Sequence, residues 1–228
     1  TKEEAEKLKT EKFDPDKCLE LLTKLNENPE IDCEAFCLVL LEFVKIINEM
    51  SSALSIAFKD ITSKVAILRN NYKVNPEWEG PLIPFIKKEM ENKLDILNSE
   101  NNKKHTKDPK YEKYESSART VLRMLWFTEF LSIMLARLGT DPKKAASDAA
   151  KEAYEKALGP HHPFMLRQAA KVAMLAAPGR KTFNTKLFPT LREDEICIYL
   201  VSIEDQIEKF RKPMIKFFKE NNLMDLPQ

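Results

Sequence analysis

The sequence predicts an all-α fold of about eight helices, because apolar residues recur at helical spacing through most of its length. Two further observations agree. Only four glycines occur in 228 residues, and 43% of the residues are hydrophobic, too few turn formers for an all-β design and too much apolar content for disorder. No alternating stretch and no internal repeat interrupts the pattern, so one domain with a sizeable core is the simplest organisation.

Taken in order, residues 1 to 12 (TKEEAEKLKTEK) form a charged lead with little packing role. Phe13-Asp14-Pro15 opens the first helix, since Asp14 can cap it and Pro15 suits its first turn. Leu19, Leu21, Leu22 and Leu25 make that helix amphipathic, and Asn28-Pro29 breaks it. Phe36, Val39, Leu40, Phe43, Ile46 and Ile47 predict a helix over 32–50, with Ser51-Ser52 at its end. The next, over 53–71, is apolar all round and should be buried. Pro76, Gly80, Pro81 and Pro84 predict a loop that holds Trp78, after which a helix carries Phe85, Ile86, Met90, Leu94, Ile96 and Leu97. Asn98 to Lys113 has almost no apolar residues and reads as a mobile surface loop. A long helix over 115–138 follows, with Gly139 as its stop. Asp141-Pro142 starts an alanine-rich helix that runs to about Leu158, and Gly159-Pro160-His161-His162-Pro163 is a tight break. Phe164 to Leu175 is helical, Thr182 to Leu187 is a short segment, and a closing helix spans Glu193 to Asn221 with a bend at Pro213. The tail LMDLPQ is apolar enough to dock.

Composition narrows the function. The charges nearly cancel, 37 basic against 36 acidic, so no overall field draws the chain to nucleic acid. Cys18, Cys33, Cys37 and Cys197 follow neither zinc nor disulfide spacing and read as reduced thiols. His161 and His162 come with no nucleophile motif or ligand cluster, and the scattered glycines make no phosphate-cradling loop. Neither an enzyme, nor a metal site, nor a cofactor is expected. No apolar run reaches the roughly 18 to 20 residues of a membrane-spanning helix, and the lead is too charged for a signal peptide, which predicts a cytoplasmic protein.

Two stretches carry the chemistry: Met50 to Tyr72, with Asp60 and Lys64, and Ala118 to Phe130, with Arg119 and Arg123. Each pair is spaced i, i+4, which places both side chains on one face of an otherwise apolar helix. Burying Lys64, Arg119 and Arg123 without an anion costs several kcal/mol per uncompensated ion. A bound phosphate, at about −1.5 to −2 charges, would supply the partner.

Four ordered blocks then matter together: FKDITSKVAILRNNY, RTVLRMLWF, YEKALGPHHPFMLRQAAKVAM and the tail NLMDLP. In these, the chain resembles the glycolipid transfer protein family, most closely its ceramide-1-phosphate branch. The resemblance implies a two-layer helical sandwich enclosing a lipid pocket, formed by residues 13 to 228 as a single domain. It also implies intermembrane transfer of one sphingolipid without chemistry. In such a protein the residue matching Asp60 accepts from the ceramide amide, the histidine matching His162 donates to the amide carbonyl, and Lys64, Arg119 and Arg123 match the triad that holds the phosphate. The glycolipid branch has an asparagine in place of Lys64 and a sugar-stacking tryptophan in place of Arg123. The histidine is doubled here, and His162 is chosen because it directly precedes Pro163. Trp126, three residues past the sugar-stacking position, reads as core.

Moving about 30 methylenes through water is opposed by roughly 25 kcal/mol, so a carrier needs an apolar sleeve. Phe43, Ile47, Leu54, Phe58, Val121, Phe127, Leu131 and Met174 are its candidate lining. Phe164, where the branch often has tryptophan, and Trp78 are candidate membrane contacts, with Arg167, Lys171, Arg180 and Lys181 as a basic footprint for transient association with a peripheral membrane surface. The expected partner is ceramide-1-phosphate or a related phosphosphingolipid; the rivals are a glycosphingolipid carrier of the same fold and a sphingolipid sensor acting on a protein partner, whose identity stays open.

Overall fold

The structure, a computed structural model, describes residues 11–50, 59–98 and 100–226. Among these residues there is no strand, and nine helices of two turns or more follow one another: α1 Pro15–Asn26, α2 Cys33–Met50, α3 Lys59–Val74, α4 Leu82–Glu91, α5 Ser117–Thr140, α6 Ala146–Ala157, α7 Phe164–Leu175, α8 Arg180–Leu187 and α9 Glu193–Glu220. None of the described helices is long and apolar enough to cross a membrane.

The all-α two-layer sandwich is organised around α5. Most residues of that helix are buried, so it needs neighbours around most of its circumference. It receives α9 and α6 along most of its length and α3 and α4 near its start, while α2 packs against α1, α3 and α8. Phe130, Leu131, Met134 and Leu135 of α5 meet Phe36, Phe43 and Ile47 of α2 and Phe210 of α9 in one continuous core. Asp14 caps α1 as expected, accepting from the backbone N–H of Asp16 and Lys17 at 3.1 Å each. The tail docks through Leu223, which is buried.

Several local expectations give way to tertiary causes. The helix expected to continue through Leu97 stops at Glu91, because Lys93 takes a left-handed conformation (φ 58°) that releases Leu94 and Leu97 to pack with Tyr114. The polar stretch expected to be mobile is tied down by amides. The Asn98 side chain accepts from the backbone of Glu100 and Asn101 at 2.9 and 2.8 Å, and Asn102 donates to the carbonyls of Tyr111, Glu112 and Tyr114 at 3.1, 3.2 and 2.6 Å. Nor does Gly139 stop its helix, which runs on through Thr140. A Cβ there would lie 2.7 Å from Val201 Cγ2 and 3.2 Å from the Cys197 carbonyl; the glycine exists so that α9 can cross closely. The segment before Phe188 is a full helix, rooted by Arg180, which pairs with Glu193 at 2.7 Å and donates to the Leu138 and Asp141 carbonyls at 2.7 and 3.0 Å. Arg180 is therefore a brace between α5 and α9 and leaves the basic footprint. Ser51, Ser52, Leu54 and Phe58 lie outside the described residues.

Candidate functional site

The start of α5 is held from two sides. Ser116 caps it, accepting from the Arg119 N–H at 3.1 Å. Glu89 of α4, fully buried, accepts from the N–H groups of Ser117 and Ala118 at 2.6 and 2.9 Å, from the Ser116 hydroxyl at 3.2 Å, and from the Tyr114 hydroxyl. A carboxylate at a helix N-terminus answers both the unpaired N–H groups and the positive end of the helix dipole. Burial pushes the Glu89 pKa up, opposed by these donors. Asn71 of α3 donates to the Glu115 carbonyl at 2.7 Å and to Ser117 Oγ at 2.9 Å. Together these bonds set the register of α3 against α5, the two helices that carry the paired charges.

In that register Asp60 and Lys64 of α3 and Arg119 and Arg123 of α5 line one cavity of about 340 Å³, closed on its other side by His161, His162, Pro163 and Leu166. Lys64 pairs with Asp60 at 2.8 Å. Arg119, only 7% exposed, donates to the Leu97 carbonyl at 3.1 Å, and Arg123 donates to the Arg119 carbonyl at 2.8 Å. Burial, and then the Arg123 charge, lowers the Arg119 pKa to about 10; burial likewise lowers that of Arg123, which Asp60 partly offsets. Two guanidiniums are thus held where their own charge is disfavoured, an arrangement that an anion between them would relieve. His162 Nδ1 lies 2.8 Å from the Tyr154 hydroxyl. When Nδ1 accepts from that hydroxyl, Nε2 carries the proton and is a donor. Burial lowers the His162 pKa, and so does His161, which keeps the neutral ring in play near neutral pH.

All five predicted polar residues therefore meet in one cavity, although 102 positions separate Asp60 from His162 in the chain. Of the predicted apolar lining, Phe127 faces the cavity, while Phe43, Ile47, Val121, Leu131 and Met174 are buried in the adjoining core. A volume of 340 Å³ equals about eleven units the size of a water at ~30 Å³ each, enough for a polar head and too little for two long chains. Phe164 stands 62% exposed at the start of α7, whereas Trp78 is half-buried, edge-on to Phe85 at 5.5 Å, and does not line the cavity. Trp126 is buried as expected, but it is also cavity wall: His161 lies flat on it and the Arg123 guanidinium stands 5.9 Å from its ring. The i, i+3 spacing from Arg123 was the available signal for that face. Nothing in the sequence pointed to Asn71, Glu89 or the Leu97 carbonyl.

Comparison with known proteins gives a consistent result. A family model described as glycolipid transfer protein matches residues 31–189. The ceramide-1-phosphate transfer protein of Danio rerio is 29% identical over 215 residues, covering 90% of this chain and 93% of that one. The ceramide-1-phosphate transfer protein of Homo sapiens is 26% identical over 206 residues, covering 89% and 91%. The fold matches the crystal structure of the human ceramide-1-phosphate transfer protein in complex with 2:0 ceramide-1-phosphate, with a TM-score of 0.81 at 22% identity, over 95% of this chain and all of that one.

Proposed function

Because the chain belongs to the glycolipid transfer protein family, we propose that it carries one phosphate-headgroup sphingolipid, ceramide-1-phosphate, between membranes without altering it. The observation that carries this reading is the buried Arg119 and the half-buried Arg123 sharing a headgroup-sized cavity with Lys64. Charge-assisted bonds from all three to phosphate oxygens would add to the contacts these cations already make, Lys64 with Asp60 among them. Asp60 accepts from the amide N–H and His162 donates to the amide carbonyl, so the site reads the ceramide junction as well as the phosphate. The chains then run into the core beside Phe127, where Phe43, Ile47, Val121 and Leu131 must part to admit them, since that core is closely packed.

Vesicle-to-vesicle transfer of fluorescent ceramide-1-phosphate and galactosylceramide tests the headgroup assignment. The expected result is transfer of the phosphate lipid alone, with Arg123→Ala stopping it while the protein stays folded. Transfer of the glycolipid that is indifferent to Arg123→Ala would sink the assignment.

Membrane contact is assigned to α7. It leaves Phe164, Met165, Leu166, Val172 and Leu175 exposed, and Leu166 also lines the cavity, so this face adjoins the headgroup site. Exposed apolar residues in such a group mark an interaction surface, and the exposed Arg167 on the same helix gains about 1 kcal/mol near anionic lipid. Phe164→Glu should cut cosedimentation with anionic vesicles several-fold; undiminished binding would move the contact elsewhere.

A further inference from the structure

The cavity contains a second histidine that the headgroup contacts above leave unused. His161 ends the turn Gly159–His161 and lies on the Trp126 indole with ring centroids 3.6 Å apart and planes 2° from parallel. With parallel planes, a centroid separation at the van der Waals contact of about 3.5–4.0 Å leaves little lateral offset between the two rings. Two neutral rings prefer an offset or edge-to-face arrangement. A cation, by contrast, prefers to stand over the centre of the indole face. The geometry is the one an imidazolium would choose.

We propose that His161 is a proton-dependent specificity residue: it takes up a proton as the lipid phosphate binds, is held as a cation on Trp126, and so favours a dianionic phosphomonoester over a phosphodiester or a sugar. This rests on the phosphate-lipid reading given above. The charged and titratable groups that share its cavity are Asp60 and Lys64 from α3, Glu115, Arg119 and Arg123 from α5, and His162 beside it; α7 contributes only the apolar Leu166, and Tyr154 of α6 stands behind His162. Without the lipid phosphate, burial keeps the His161 pKa below its ordinary value. The three cations and two carboxylates of the cavity sum to +1; a phosphate dianion turns that to −1 and so attracts one further cation. A group whose pKa rises on binding strengthens binding below its bound-state pKa and adds nothing above it. Affinity therefore rises as pH falls from 8, until the second ionisation of the phosphate, near pH 6, removes the dianion.

Isothermal titration of short-chain ceramide-1-phosphate, in paired buffers of different ionisation enthalpy, counts the protons. For the wild type we expect proton uptake near pH 7 and binding about two- to fourfold tighter at pH 6.5 than at pH 8.0. His161→Phe, which keeps a ring on Trp126 but no proton, should show an affinity ratio near one and no uptake. Ceramide phosphoethanolamine, a phosphodiester, should show little pH dependence with either protein. Binding of the monoester without proton uptake, or uptake that survives in His161→Phe, overturns the role of His161 alone. No binding of either phosphate lipid at any pH overturns the cargo reading as well. Should the variant not fold, histidine NMR on the wild type decides: the resonance shielded by the stacked indole is His161, and its pKa must rise when lipid is added. An unchanged pKa refutes the inference.

Discussion

Arg119→Ala should lower ceramide-1-phosphate transfer by at least about thirtyfold while leaving the fold intact or slightly more stable. Removing one partner of a buried, hydrogen-bonded charge pair costs ~2–5 kcal/mol, which is roughly thirty- to several-thousandfold in affinity. Stability should not follow activity, because in the protein alone burial and Arg123 both act against the Arg119 charge. Truncation also frees the Leu97 carbonyl, which keeps its second bond from the Ser116 N–H at 3.0 Å. Arg119→Lys should recover only part of the loss, since a lysine offers a point charge where the guanidinium offers a planar fork of donors. Transfer rates and thermal melts on the same preparations check this. Loss of transfer together with a fall in melting temperature would recast Arg119 as structural.

Glu89→Ala is expected to be the most damaging single change outside the cavity, costing about 3–5 kcal/mol. It strands two backbone N–H groups at the start of α5 together with the Tyr114 and Ser116 hydroxyls, and buried donors left unsatisfied cost ~1–3 kcal/mol each. The remaining groups recover part of that by reorienting. Glu89→Gln should lie between the wild type and Glu89→Ala, because its amide oxygen still accepts while its amide nitrogen faces donors from which the second carboxylate oxygen accepted. Denaturant titration measures the loss, and a cost below about 1 kcal/mol would show that α5 starts correctly without the clasp. The loosened register of α5 should also weaken phosphate-lipid transfer at moderate temperature, where Glu89→Ala is still folded, since the guanidiniums ride on that first turn.

The secondary structure was readable from local signals because helices are local objects. The apolar rows of α2, α5 and α9 and the Asp14-Pro15 start of α1 each rest on residues a turn or two apart. The charged pairs of the cavity were readable for the same reason: Asp60 with Lys64 and Arg119 with Arg123 declare a shared helix face by their spacing, and the family resemblance joined them to His162. What spacing left hidden is every device that depends on a distant partner. Gly139 looked like a helix stop because its need for closeness comes from Val201, on another helix. The 98–113 stretch looked mobile because its order rests on the Asn102 amide reaching three carbonyls, not on apolar residues.

By itself, then, the sequence determined that the chain is all-helical and which polar residues share a helix face, since the 3.6-residue period settles both. Only the tertiary structure decided that α3, α5 and the His161-His162 turn surround one cavity, that Glu89 and Asn71 hold α5 in register, and that His161 lies on Trp126. Those relations depend on packing and buried hydrogen bonds between segments far apart in the chain, whose partners are chosen by geometry that no local pattern records.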